Sequence, residues 1–253
     1  MRFSDRSCYE GSWVGGLPQG YGAEMLPNGD FYEGHWENGL KHGEGTKTSS
    51  DGSVYNGDWE NGRRQGYGTE EYPNGDIYEG YWDNGFRSKK GKYNFKDGGF
   101  YEGDWVEGLY EGEGLLILGD GENFVGSFRA GFKEGKGVMN YEEGDNYDGE
   151  FCRDVREGFG TMVFGNGNRY VGKWVGGRKS GNGIMNYGSG VMYQGDWLDD
   201  RKHGDGKEEN QGTGEKFEGV WANGRLAGKG KMTYEAGDTY EGEFNGYLVS
   251  FLG

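Results

Sequence analysis

The sequence predicts an all-β protein: an elongated, single-layer, twisted antiparallel sheet of tandem 23-residue β-hairpins. Three observations predict it. An aromatic-x-Gly phrase starts repeats at Tyr9, Tyr32, Tyr55, Tyr78, Tyr101, Phe124, Tyr147, Tyr170, Tyr193 and Phe217, with a partial copy from Tyr240; the spacing is 23 residues, except for 24 between Tyr193 and Phe217. All eight tryptophans (Trp13, Trp36, Trp59, Trp82, Trp105, Trp174, Trp197 and Trp221) fall at position 5 of the repeat, and Phe128, Phe151 and Phe244 fill that position in the other three copies. The 57 glycines concentrate at positions 3, 8, 12, 14 and 21.

The first strand follows from positions 1, 3 and 5, whose period of two puts them on one face while 2, 4 and 6 face the other way. In Tyr32–Glu37 one face is Tyr32, Gly34 and Trp36, and the other is Glu33, His35 and Glu37. Next comes Asn38-Gly39, repeated as Asn61-Gly62, Asn84-Gly85 and Asn223-Gly224. This pair signals a two-residue hairpin, because both turn residues need positive φ. That turn sets Gly at position 3 opposite Gly at 12, and the position 1 aromatic opposite Gly at 14. A longer loop shifts the register by two and leaves the same residues on the same face.

Glycine weakens a strand and marks close approach by another group. Here that group is the aromatic rings, lying across the missing side chains. A second turn at positions 20–22, as in Asn28-Gly29-Asp30, leads to the next repeat. One domain is expected from 9 to 253 after a short extension at 1–8. With two strands per repeat, the array should extend roughly 10 Å per copy.

Leu, Ile, Val and Phe make up roughly one residue in six and net charge is −16, a combination that ordinarily means disorder. Aromatic content of 16% at fixed repeat positions overrides that expectation. Cys8 and Cys152 stand about six repeats apart, on the order of 60 Å, too far for a disulfide. Unpaired cysteines without a signal peptide lead to an expected reducing, cytoplasmic setting. No apolar run approaches the length of a membrane span.

The pattern Tyr-x-Gly-x-Trp-x-x-Gly-x-x-x-Gly-x-Gly, seen in Tyr9–Gly22 and Tyr55–Gly68, resembles the MORN repeat (membrane occupation and recognition nexus). The resemblance implies an extended hairpin array, as in junctophilins, plant phosphatidylinositol phosphate kinases, radial-spoke head proteins and cytoskeletal proteins of protists. Members built from repeats alone tend to be ciliary or cytoskeletal scaffolds, and some bind phosphoinositides. Lys89 departs from Gly at position 12, Asp154 and Asp200 depart from Gly at position 8, and the ninth repeat carries an extra residue near Asn210, where a kink or bulge over 207–216 is expected.

No residues recommend catalysis or a metal. His35, His42 and His203 form no cluster with metal-ligand spacing. The turns lack spaced oxygen ligands, and no glycine run leads through Gly-Lys-Ser/Thr into a helix. The expectation is a non-enzymatic scaffold for protein partners in a ciliary, axonemal or other cytoskeletal assembly, without a cofactor. The net negative charge argues against nucleic acid.

Two candidate contact surfaces stand out. The first is an aromatic trough of Tyr32, Trp36, Tyr55, Trp59, Tyr78, Trp82, Tyr101 and Trp105, either open to a partner or closed by the rings covering one another. The second is a basic stripe at position 10: Lys41, Arg64, Arg87, Lys133, Arg156, Lys179 and Lys202. It either meets phosphoinositide headgroups or an acidic partner, or stacks on the position 5 aromatics. The apolar tail Gly246–Gly253 either caps the sheet or pairs with a second copy as an end-to-end homodimer.

Overall fold

The computed structural model describes residues 6–246, and every regular element within them is a β-strand. The chain divides into two compact halves between Gly131 and Phe132. The first holds eleven strands, from Cys8–Val14 to Asn123–Arg129, and the second ten, from Phe132–Asn140 to Thr239–Asn245. Within each half, every strand pairs antiparallel with its neighbour in sequence, so the sheet is a meander.

The Asn-Gly turns form as expected, with Asn38 at φ 50° and Gly39 at φ 83°. The register beyond them is corrected. Trp36 faces Lys41, but Gly34 faces Gly45 and Tyr32 faces Lys47, so position 3 lies opposite 14 and position 1 opposite 16. Two extra residues of the second strand bulge between those pairs, and Gly43 at position 12 adopts φ 60° there. The bulge accomplishes with a tight turn the shift of two that a longer loop also produces.

Its consequence is a ladder of glycines. Gly22, Gly34, Gly45, Gly57, Gly68 and Gly80 face one another in succession across adjoining strands. The same pairing runs from Gly137 to Gly242 in the second half. The position 1 tyrosine lies over this ladder, along its own strand, and its hydroxyl donates to the backbone carbonyl three residues on: Tyr32 to His35 at 3.0 Å, Tyr78 to Tyr81 at 2.9 Å. A Cβ on Gly34 would stand 2.5 Å from the Gly45 Cα, which the sheet cannot accommodate without moving.

These rings are then closed in by the position 5 aromatics, indole or phenyl. Tyr32 meets Trp36 of its own repeat edge-on at 5.3 Å and Trp59 of the next at 5.2 Å. Trp59 Nε1 donates to the Gly45 carbonyl at 3.0 Å, so its one polar atom is satisfied. Backbone edges are joined as well: the Gln19 amide oxygen accepts from the Asn38 amide at 2.9 Å, and the Asp30 carboxylate accepts from the Ser50 amide at 2.8 Å. With few aliphatic side chains, these inter-repeat contacts form the core.

Lys89 takes φ 55° where other repeats have glycine, and Asp154 and Asp200 take φ 68° and 66°. Both aspartates compensate by accepting a backbone N–H of the preceding repeat, from Lys133 at 2.9 Å and Lys179 at 3.0 Å. Lys89 has no such bond among the described contacts. Left-handed backbone costs an ordinary residue about 1–2 kcal/mol, and glycine loses about half of that relief to chain entropy. Lys89→Gly should therefore stabilise the first half by about 0.5–1 kcal/mol, seen as a raised denaturant midpoint with unchanged slope.

The extra residue of the ninth repeat sits in a widened turn. The Asn210 amide bonds the Glu215 carbonyl at 2.9 Å, and the Asn210 side chain accepts from Gly212 at 2.9 Å. The flanking ladder stays regular, with Glu208 opposite Phe217 and Glu209 opposite Lys216, so the irregularity expected over 207–216 is confined to the turn. The proposed cap or dimer strand lies, after Gly246, outside the described residues. Cys8 and Cys152 are both free thiols.

Candidate protein-interaction surface

The aromatic trough is closed. Tyr32, Trp36, Tyr55, Trp59, Tyr78, Trp82, Tyr101 and Trp105 are between 0% and 6% exposed, covered by one another across successive repeats. An open trough would need rings standing off the sheet. Here the glycine ladder lets tyrosine lie flat, and the next indole seals it. Desolvation holds the phenols of Tyr32, Tyr55, Tyr78 and Tyr101 protonated far above the ordinary tyrosine range.

The basic stripe is engaged as well. Four members lie over the indole of the following repeat: Arg64 on Trp82 at 4.1 Å, Arg87 on Trp105 at 4.4 Å, Arg156 on Trp174 at 4.5 Å, Lys179 on Trp197 at 4.7 Å. Lys41 reaches Tyr32 at 4.8 Å, and Lys202 reaches Trp221 at 4.7 Å while pairing with the buried Glu208. Lys133 Nζ lies against Met139 Sδ. The arginines also donate to turn carbonyls one repeat on: Arg64 to Gly85 at 2.9 Å, Arg87 to Gly108 at 3.0 Å, Arg156 to Gly177 at 2.9 Å. Burial lowers the pKa of Lys41 and Lys179 and brings that of Lys202 down to about 8. The stripe joins repeats through cation–π contact.

The opposite face is furnished with rings. Tyr67 and Tyr81 face each other on adjacent strands, edge-on at 5.4 Å, and Tyr67 donates to Glu79 at 2.9 Å. Tyr21 and His35 form the equivalent pair at 5.6 Å. Tyr21, Tyr67 and Tyr81 are all exposed, as is Phe159 in the second half. Their signal in the sequence was an aromatic at position 4 or 13, where most copies carry a polar residue.

Two grooves follow this face over the glycine ladder. In the first half a groove of about 760 Å³ is walled by Tyr67, Tyr81, Lys90, Lys92, Leu115 and Val125. In the second, one of about 1000 Å³ is walled by Lys207, Glu218, Lys229, Lys231 and Glu241. The floors include bare backbone at Gly80, Gly91 and Gly103, and at Gly206, Gly219 and Gly230. An extended partner can approach such a floor closely, with side chains on both walls.

The histidines fit no site chemistry. His42 Nε2 lies 3.3 Å from Glu37, His35 meets Tyr21 edge-on, and His203 Nδ1 is buried without a hydrogen-bond partner. Among the described residues, no three His, Cys, Asp or Glu side chains group as metal ligands.

The family model for the MORN repeat matches ten segments: 9–31, 32–54, 55–77, 78–100, 101–122, 124–146, 147–169, 170–192, 193–210 and 217–239. A search of curated proteins finds no match. Among solved structures, the chain is similar to a mutant TCP10 domain of Danio rerio CPAP at 14% identity, with 78% of this chain and 92% of that one covered and a TM-score of 0.42. It is also similar to the Drosophila melanogaster SAS-4 (dCPAP) TCP domain, solved with a proline-rich motif of Ana2, at 15% identity, 61% and 85% coverage and a TM-score of 0.37. The G-box domain of the microcephaly protein CPAP matches at 11% identity, covering 89% of this chain and 100% of that one, with a TM-score of 0.31.

Proposed function

Since the chain belongs to the MORN-repeat family, we propose that it is a non-enzymatic scaffold that binds protein partners along the ladder's open face, within a cytoskeletal or ciliary assembly in the cytoplasm. One observation carries the binding surface. The aromatic face is sealed, whereas the other presents exposed Tyr67 and Tyr81 beside alternating charges over a bare glycine floor. Tyrosine offers large, rigid, amphipathic contact area and is enriched at interfaces. The cytoskeletal setting rests on resemblance to repeat-only family members.

The second reading, a peripheral module meeting phosphoinositides through the whole basic stripe, draws less support. Its side chains are occupied with indoles and turn carbonyls, so engaging lipid would mean giving up contacts between repeats.

Imaging the tagged protein in its own cell before and after nonionic detergent tests the proposal. Wild type should remain on the insoluble residue, and Tyr67→Glu with Tyr81→Glu should release it without altering the far-ultraviolet circular dichroism. Wild type that leaves with the lipids, or a double variant retained as well as wild type, rejects it.

A further inference from the structure

The joint between the ninth and tenth repeats lacks both of the polar locks that hold the joints before it. In the first lock a position 11 side chain accepts from the backbone amide at position 7 of the next repeat, as Gln65 does from Asn84 at 2.8 Å and Glu134 from Arg153 at 3.0 Å. In the second, the position 5 indole donates to the position 14 carbonyl of the repeat before, as Trp105 does to Gly91 at 3.0 Å and Trp197 to Gly183 at 3.3 Å. Where position 11 is His42, Ser88 or Ser180, the indole bond is made, by Trp59, Trp105 and Trp197. Where position 5 is Phe128 or Phe151, the position 11 bond is made, by Glu111 and Glu134. The remaining joints have both. One lock or the other therefore closes each joint from the first repeat to the ninth.

The ninth repeat supplies His203 at position 11, and the tenth supplies Trp221 at position 5. Neither bond forms. His203 Nδ1 and Trp221 Nε1 are buried without a partner, and among the described residues these are the two side-chain polar atoms left so. They stand one residue apart in register, since Gly204, next to His203, faces Trp221. A buried polar group without a partner loses its hydration and gains no bond in exchange. The widened turn adds no link forward. Gln211 donates back to the Gly190 carbonyl of the eighth repeat at 3.0 Å, and the Gly212 and Thr213 amides both bond the Asn210 side chain within the turn. What crosses the joint is the backbone ladder, the Gly224 amide on the Lys202 carbonyl, and contact of Trp221 with Tyr193 and Lys202.

Beyond the joint the chain has its own cohesion. Strands Lys216–Ala222, Arg225–Thr233 and Thr239–Asn245 pair in succession. Phe217, Trp221, Leu226 and Met232 are buried, and Phe217 meets Trp221 at 5.4 Å and Phe244 at 4.9 Å. Three strands sharing an apolar cluster reach the size at which a sheet keeps its own order. Between the tenth repeat and the partial eleventh, the two lock positions hold Ala227 and Phe244, so that joint leaves no lock group unpaired.

We propose that the array opens at the ninth joint: strands 216–245 release from strand Arg201–Asn210 as one unit, pivoting on the glycine-containing turn 210–215, while the preceding repeats stay folded. Stability in a repeat array is a sum of units and junctions, so it parts where a junction is weakest. Release uncovers the edge of Arg201–Asn210, whose backbone donors and acceptors then face an incoming strand. The inference does not depend on the scaffold reading, since it uses neither Tyr67 nor Tyr81.

Native-state hydrogen exchange of the full chain, read peptide by peptide in a mass spectrometer, tests the device. Amides of Lys216–Ala222, Arg225–Thr233 and Thr239–Asn245 should share one protection factor, at least about tenfold below that of the strands in 146–198. His203→Gln supplies the acceptor that Gln19 and Gln65 provide elsewhere, and should raise protection of all three strands about tenfold, as one recovered hydrogen bond would. His42→Gln in the second repeat, where Trp59 already bonds Gly45, should leave them unchanged. Protection equal to that of 146–198 overturns the device. Protection that falls strand by strand toward Asn245 does so too, because it describes a fraying end. So does His203→Gln without effect, or His42→Gln with the same effect.

Discussion

Replacing Gly91 with valine should destabilise the first half by about 4 kcal/mol, large for a single substitution on a strand where valine is otherwise favoured. A Cβ at Gly91 would come within 2.6 Å of Cζ and Cε2 of the Tyr78 ring. The ring lies flat across the ladder, is 0% exposed, and is held by Trp82 and Trp105, each at 5.2 Å. It has no vacant rotamer to occupy and must leave the sheet. Losing its buried area costs about 2–3 kcal/mol, its hydroxyl bond to the Tyr81 carbonyl about 1 kcal/mol, and the edge-on contacts about 0.5–1.5 kcal/mol.

A double-mutant cycle separates this mechanism from a general intolerance of the strand. In a Tyr78→Ala background the clash is gone, and Gly91→Val should cost under about 1 kcal/mol, giving a coupling of at least 2 kcal/mol in denaturant unfolding. Additive effects would show that glycine is needed for another reason, such as backbone geometry. The cycle also bears on how far damage spreads, because repeats contact only their neighbours and the loss should be confined to nearby copies.

Much of this architecture was legible in the sequence because each repeat states it again. The position 5 indoles, the Asn-Gly turns and the flat-lying tyrosines follow from period-two reading and glycine chemistry. The register was harder. The Asn-Gly turn implied Gly34 opposite Gly43, and nothing in one hairpin showed that position 12 uses glycine for a bulge at φ 60° while position 14 builds the ladder. Once the bulge is known, a glycine at 12 and another at 14 have different jobs, and Lys89 is strained only because it does the first of them.

Surface roles were the least legible. A row of aromatics reads equally as an open trough or as a sealed core, and the choice depends on whether the next indole reaches back over the ring, as Trp59 does over Tyr32. The stripe likewise required knowing that Arg64 lies over Trp82 of the following repeat, beyond the hairpin in which it was read. Tyr67 and Tyr81 are thirteen and four places into successive repeats, so they become a pair only through inter-repeat register.

Raising the pH above about 10 should unfold the protein cooperatively, and the buried phenols give the sign. Desolvation lifts the pKa of Tyr32, Tyr55, Tyr78, Tyr101, Tyr170 and Tyr193 far above 10.0, and that of Tyr147 to about 12. Below pH 10 both folded and unfolded chains keep these protons, so their stabilising contribution is fully present. Between 10 and the folded values the unfolded chain releases protons that the native sheet retains, and stability falls as pH rises. Each such phenol contributes a slope of about 1.4 kcal/mol per pH unit, so the four in the first half together approach roughly 5 kcal/mol per unit. That gradient exhausts the stability of an ordinary domain within about two units. Tyrosinate absorbance and far-ultraviolet circular dichroism should therefore change together in a steep transition, with more than one phenol ionising per unfolding event. Phenols that ionise gradually while the sheet signal stays intact to pH 12 would show that the rings are reached by water in the native state. The sealed face would then have to be open to solvent, and to partners, on the timescale of the titration.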